Sequence, residues 1–311
     1  MQKYSKFVTC ASVLGKKLKK YLFCSVFVSF LLFEVFSFCF ICCGMRVFPV
    51  VLACLIVLCF LSCSVPELFS RVAPPCVVAH RGGASLAPEN SLLAIERSIA
   101  LGVDAVEIDV CLTADAHPVV MHDSEIDRTT DGKGRVSALM LHEVKSFNLL
   151  GPDGNVTSEK IPTLEEVLMF VRGRCVVLIE IKGGDDCGIE RRVLEVVDRC
   201  RAREWVAVQS FSDRVLERFC DLDAPFPLEK LFVFKLPFLP YVFDGGFSRL
   251  SMDKYRFVTS FNINKKFARK GLVKRLKNAG KKVKVWTLGC GDSVCPEFVD
   301  GVITDFPQFF P

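Results

Sequence analysis

Beyond residue 70 this chain lacks any excess of charge: 33 Lys/Arg stand against 33 Asp/Glu. The whole-chain net charge of +5 is confined to the first 70 residues, which hold seven basic and two acidic side chains. That argues against nucleic acid as a partner, because a binding face needs Lys/Arg clustered along the fold. Zinc spacing is missing as well. Eight of the 16 cysteines lie in residues 1–63, and the other eight, from Cys76 to Cys295, are scattered. Cys290 and Cys295 have no second pair and no histidine nearby, so a structural zinc is excluded and no essential disulfide is expected. The chain also lacks the polar bias of a disordered protein, since 51% of it is hydrophobic and it contains 28 Phe. Histidine is scarce, at four residues. A length of 311 residues allows one large α/β domain plus an appendage.

The appendage is residues 1–65. Lys16, Lys17, Lys19 and Lys20 precede an apolar run from Tyr21 to Cys43, interrupted by Glu34, and an uncharged run follows from Val47 to Val65. Either is long enough to cross a hydrocarbon core of about 30 Å. Three readings stand. A single span leaves the basic terminus in the cytoplasm and the rest of the chain outside it. A two-span hairpin must turn within Gly44, Met45 and Arg46. A start at Met45 gives a short lipoprotein-type signal ending at Leu61-Ser62-Cys63, with Cys63 lipidated. The expectation is a membrane-anchored protein whose remaining residues lie outside the cytoplasm, in a periplasm or at a cell surface.

After a linker at 66–75, short apolar runs alternate with amphipathic stretches through residues 76–311. Eight candidate strands are readable: Cys76–His80, Asp104–Cys111, Cys175–Lys182, Trp205–Ser210, Lys230–Phe234, Arg256–Phe261, Lys282–Leu288 and Val299–Thr304. Ile189, Val193, Val196, Val197 and Cys200 form one helical stripe, and Leu272, Val273, Leu276 and Ala279 form another that Gly280 ends. Eight strand-helix units predict a (β/α)₈ TIM barrel with its site where the strands end. A doubly wound open sheet is the competing pattern. Residues 124–160, rich in Gly, Asp, Ser and Thr, read as a small insertion beside the strand mouth. Nothing in the pattern specifies an oligomer.

In Val106-Glu107-Ile108-Asp109-Val110 the side chains alternate, so the carboxylates share one face and the aliphatics the other. On a barrel strand the aliphatics face the helices and both carboxylates face inward. Two such charges repel and lose hydration, which costs several kcal/mol unless a cation or donors compensate. Glu180 and Lys182 repeat the arrangement. Glu107, Asp109 and Glu180 together suit one hard divalent cation, Ca²⁺ or Mg²⁺; structural ion pairs with Lys182 and Arg81 are the alternative. His80 and His122 fall at strand ends, where imidazoles can exchange protons near neutral pH, whereas His117 and His142 read as ordinary surface residues. Arg81, before Gly82-Gly83, and Lys182 offer positive charge to an anion, although a tight strand-to-helix turn explains the glycine pair equally well. Their convergence describes a metal-assisted phosphodiesterase.

The order of motifs completes the picture. His80-Arg81-Gly82-Gly83 with Ala87-Pro88-Glu89-Asn90-Ser91, Glu107-Ile108-Asp109-Val110, His122-Asp123, Asp127-Arg128-Thr129-Thr130, Glu180-Ile181-Lys182, Val285-Trp286-Thr287 and Gly301-Val302-Ile303-Thr304-Asp305 resemble the glycerophosphodiester phosphodiesterase family over roughly residues 76–308. The resemblance implies a TIM barrel with a small insertion after the second-histidine segment. It also implies hydrolysis of glycerophosphodiesters to sn-glycerol 3-phosphate and an alcohol. By motif, it implies His80 and His122 as the acid and base pair, and Glu107, Asp109 and Glu180 as metal ligands. Arg81, Lys182 and Trp286 become substrate-binding residues. One departure stands out: members of the family commonly have Asn shortly after Trp-Thr, where this chain has Leu288-Gly289-Cys290. Lysophospholipase D-type hydrolysis and a surface binding protein on the same fold are the alternatives.

Overall fold

The computed structural model describes residues 75–182, 188–236, 238–292 and 298–310. The chain divides into two units, Met1–Arg71 and Val72–Pro311. The first unit, and with it the span, hairpin and lipidation readings, lies outside the described residues. Among the described residues no helix is long and apolar enough to cross a membrane.

Eight parallel strands close the second unit into a barrel. In chain order they are β1 (Cys76–Ala79), β2 (Ala105–Leu112), β6 (Val176–Ile181), β7 (Val206–Ser210), β8 (Leu228–Phe232), β12 (Val258–Asn264), β13 (Lys282–Leu288) and β14 (Gly301–Thr304). β1 pairs with both β2 and β14, so the sheet has no free edge among these eight. The TIM barrel is therefore the observed fold, and the open sheet is excluded. Alternation explains the layers. Val106, Ile108 and Val110 on β2 join the large core between strands and helices. The inward face begins with Val78, Ala105, Leu178, Ala207 and Ile303, which form a separate apolar layer in the barrel. Two residues further along, the same face carries Glu107, Glu180 and Gln209, each less than a tenth exposed.

Helices form where capping and stripe agree. α1 (Leu92–Ala100) starts at Ser91, whose side chain accepts from the Ala94 amide, and α3 (Leu164–Val171) starts at a Thr163/Glu166 capping box. α2 (Leu141–Val144) lies in the region between β2 and β6. Val193, Val196 and Val197 bury one stripe of α4 (Ile189–Arg199), Val215, Leu216 and Phe219 do so for α5 (Asp213–Asp221), and Val273 and Leu276 for α6 (Lys270–Asn278).

Three differences from the sequence expectation have physical causes. The fifth strand runs Leu228–Phe232 and the sixth Val258–Asn264. Lys230 is a fully buried mid-strand residue, matched to Asp213 and Asp244 from other elements at 2.8 and 2.7 Å; a strand pattern alone gives no sign of such partners. The fifth crossover is a three-stranded antiparallel meander instead of a helix: β9 (Phe234–Lys235), β10 (Tyr241–Phe243) and β11 (Phe247–Arg249). Pro240 and the Gly245-Gly246 turn, with Gly245 at φ 100°, oppose a helix there. Finally, His122 follows β3 (Pro118–Val120), a short strand antiparallel to β2 and not a barrel stave. Residues 124–160 hold β4 (Asn148–Leu150), β5 (Val156–Lys160) and α2, packed around Ile126, Val136, Val144 and Leu149.

Candidate active site

The site is built from alternation plus two turns. At the carboxyl ends of β2 and β6, one oxygen from each of Glu107, Asp109 and Glu180 lies within 4.8 Å of the others. Glu107 and Asp109 are essentially inaccessible, at 0% and 1% exposure. Burial and the neighbouring Asp109 charge raise the pKa of Glu107. Burial also opposes ionisation of Asp109, but the charges of Lys182 and His122 and a hydrogen bond from Asn90 outweigh it, and its pKa is lowered. Lys182 Nζ lies 2.7 Å from Glu180 and 2.9 Å from Asp109.

The strand-to-helix turn after β1 places His80 and Arg81. Arg81 sits at φ 50°, ψ 41°, in the left-handed region, a strained position worth about 1–3 kcal/mol in a non-glycine residue. Its backbone N–H donates to Glu107 Oε2 at 2.9 Å, its Nη1 to Glu89 at 2.9 Å, and its buried Nε has no hydrogen-bond partner. Gly82 and Gly83 both have positive φ, and a Cβ on Gly83 would stand 2.4 Å from Ser98 Oγ. The glycine pair thus serves the turn and its packing on α1. His80 Nδ1 lies 2.6 Å from Asp305 Oδ1 on the β14 side, with Nε2 3.9 Å from Glu107. Burial disfavours the imidazolium, but the Asp305 hydrogen bond and the Glu107 and Asp305 charges outweigh it and raise the His80 pKa.

Hairpin geometry delivers the second imidazole. Val110 pairs with Val120, and the Met121 amide donates to Asp109 O at 2.9 Å, which returns the chain to the mouth at His122. His122 Nδ1 lies 2.6 Å from Asp123, which is held in turn by Arg128 at 2.5 Å. Burial opposes Asp123 ionisation, yet the hydrogen bonds from Arg128 and His122 pull its pKa down to about 2. His80, Arg81, His122, Glu180, Lys182 and Trp286 line one cavity of about 150 Å³. Trp286 meets the Phe211 ring edge-on at 5.7 Å and donates Nε1 to Asn262 O. All eight side chains singled out by the sequence therefore meet at one mouth. His117 and His142 are not among the cavity-lining residues.

Six contributors have no role assigned in the sequence reading. Gln209 donates to Glu107 and Glu180 at 3.4 and 3.5 Å. Asn262 donates to Gln209 Oε1 and Glu229 at 2.7 and 2.8 Å, and Lys284 pairs with Glu229. Asp305 holds His80, and Glu89 joins Arg81 to Arg128. Ala207 and Gln209 alternate inward as Glu107 and Asp109 do, a signal present in the sequence. The Gly289 departure leaves a backbone amide bonded to Asp292 Oδ2 at 2.6 Å.

Three carboxylates, two carboxylate-bound imidazoles and two cationic side chains at a barrel mouth define a phosphodiesterase-type site. Residues 80–309 match the glycerophosphoryl diester phosphodiesterase family, and the chain belongs to that family. It is thereby an enzyme, a phosphoric diester hydrolase acting on glycerophosphodiesters. A glycerophosphodiester phosphodiesterase of Caldanaerobacter subterraneus is 33% identical over 240 residues, covering 75% of this chain and 94% of that one. An Oleispira antarctica phosphodiesterase, solved with its product sn-glycerol-3-phosphate, superposes with a TM-score of 0.64 at 26% identity over 76% of this chain and 95% of that one. A glycerophosphodiester phosphodiesterase of Agrobacterium tumefaciens gives 0.63 at 25% identity, covering 76% and 99%.

Proposed function

We propose that the chain hydrolyses glycerophosphodiesters to sn-glycerol 3-phosphate and an alcohol, with His80 and His122 as the acid and base pair. The observation that carries this reading is the buried carboxylate triad, within 4.8 Å, in a mouth lined by both imidazoles. The triad fits a divalent cation, Ca²⁺ or Mg²⁺. Its ligands are all oxygen, and Asp109 Oδ1 is buried without a well-aligned hydrogen bond, meeting only the Lys182 ammonium. Glu107, Asp109 and Glu180 would hold the ion, which when bound polarises phosphate oxygens and makes an attacking hydroxyl more acidic.

Asp305 and Asp123 each engage an Nδ1, fixing His80 and His122 in orientation. One imidazole then takes a proton from the attacking oxygen while the other gives one to the departing alcohol. Arg81, whose Nε makes no hydrogen bond and stands 3.9 Å from Asp109, and Lys182 receive phosphate oxygens. Trp286 forms an apolar wall. The apolar runs of residues 21–43 and 47–65 support a membrane-anchored placement with the barrel outside the cytoplasm.

The test is release of glycerol 3-phosphate from glycerophosphocholine by the full chain, in EDTA and after adding back Ca²⁺ or Mg²⁺. Turnover should vanish in EDTA, return with one cation, and stay absent in Glu107→Ala. Parent-level turnover in EDTA, or in Glu107→Ala, would refute the metal and triad assignment.

A further inference from the structure

The meander at the fifth crossover exposes apolar surface that the barrel does not use. Phe238 is fully exposed, at 104%, and Phe247, Leu239 and Tyr241 are exposed at 60, 53 and 39%. Single exposed apolar residues are ordinary; four on one small meander are not. Hydrogen bonds tie the described residues beside Phe238 and Leu239. Lys235 Nζ donates to Leu236 O and Leu239 O at 3.1 and 2.8 Å, the Leu236 amide to Tyr241 O, and the Leu250 amide to Pro240 O. The carbonyls of Leu236, Leu239, Pro240 and Tyr241 are thus satisfied from within, which favours entry into an apolar phase.

The meander stands beside the active mouth. Lys230 joins Asp244 of the β10–β11 turn to the carbonyl of Phe211, the residue that lines the cavity against Trp286. Phe234 packs on Phe267, just beyond β12, at 5.2 Å. Charge distinguishes the surroundings. Residues 234–270 hold eight Lys/Arg against two Asp/Glu, in a body that is balanced only when they are counted. Arg249 pairs across from Tyr241, and Lys266 and Arg269 are exposed past the carboxyl end of β12. Exposed apolar side chains on a cation-rich segment fit a bilayer surface with anionic headgroups.

We infer that Phe238, Leu239, Tyr241 and Phe247 form a membrane-docking tip that inserts into an anionic bilayer and turns the active mouth toward it. This goes beyond the reaction and is separable from it. The full chain is reconstituted in vesicles of mid-chain brominated phosphatidylcholine, with and without phosphatidylglycerol, and tryptophan emission of Phe238→Trp is compared with the parent. The added tryptophan should be quenched beyond the parent signal, more so with phosphatidylglycerol. Adding Leu239→Asp should shift insertion about tenfold toward the free form. Hydrolysis of glycerophosphocholine by the same variants should stay at the parent rate, so a failed tip and a failed reaction read out separately. No added quenching in an active chain would overturn the inference. So would quenching that ignores phosphatidylglycerol, or a dimer in sedimentation that Leu239→Asp dissolves.

Discussion

Asp305→Asn probes how far the His80 imidazole depends on its carboxylate. The pair is close, Nδ1 to Oδ1 at 2.6 Å, with His80 18% and Asp305 36% exposed. A hydrogen bond to a charged group contributes about 1.5–3 kcal/mol net, and Asp305's exposure places this one in the lower half. At about 1.4 kcal/mol per decade, kcat/KM should fall roughly 10- to 30-fold. A second readout separates positioning from folding. The Asp305 hydrogen bond and charge help raise the His80 pKa, so removing them should move the limb of the pH–rate profile that His80 sets toward lower pH. The assay is glycerol 3-phosphate release between pH 5 and 9, alongside a thermal melt. A variant with parent kcat/KM and an unmoved profile would refute the role given to Asp305.

Other perturbations address stability and the groups behind the carboxylates. Burial opposes ionisation of Asp213, but the charge of Lys230 and hydrogen bonds from Lys230, Lys254 and Tyr255 outweigh it and lower its pKa. Its stabilisation is therefore present above the unfolded carboxylate value of about 3.9 and fades as pH falls through the lower native value. Asp213→Asn should cost about 3 kcal/mol in urea unfolding at pH 7 and flatten the acid side of the stability curve; an unchanged curve would count against the Lys230 pairing. Gly83→Ala meets both a φ of 109° and Ser98 Oγ, itself bonded to Gly82 O at 2.6 Å. It should cost about 2 kcal/mol and lower Tm by roughly 4–8 °C, as read by calorimetry. Asn262→Leu removes both donors that hold Gln209 and Glu229, and divalent-cation affinity by titration calorimetry should weaken about 10- to 100-fold.

The carboxylates were legible because their strand position has a signature: a charge at every second place in an aliphatic run has nowhere to go on a buried sheet except inward. The same rule applied to Val206-Ala207-Val208-Gln209-Ser210 points Gln209 inward, but one neutral amide in an apolar run is no anomaly of charge. Asn262 escaped because the sixth strand was read as ending at Phe261, one residue short of the inward amide. Asp305 sat within a recognised motif, yet its partner is 225 residues away, a pairing that only barrel closure creates. The meander was missed as an element because strands of two or three residues hold too few positions for alternation to show.

The meander also bears on how this fold can change. It springs from the end of β8 and is rooted by the Lys230 and Asp244 ion pair and the Phe234 and Phe267 contact. The carboxylates, imidazoles and cationic side chains all come from other segments. A longer, shorter or differently charged excursion at this position would leave the chemistry intact. The barrel thus keeps what it does and where it does it on separate stretches of chain, so that selection can revise the second without endangering the first.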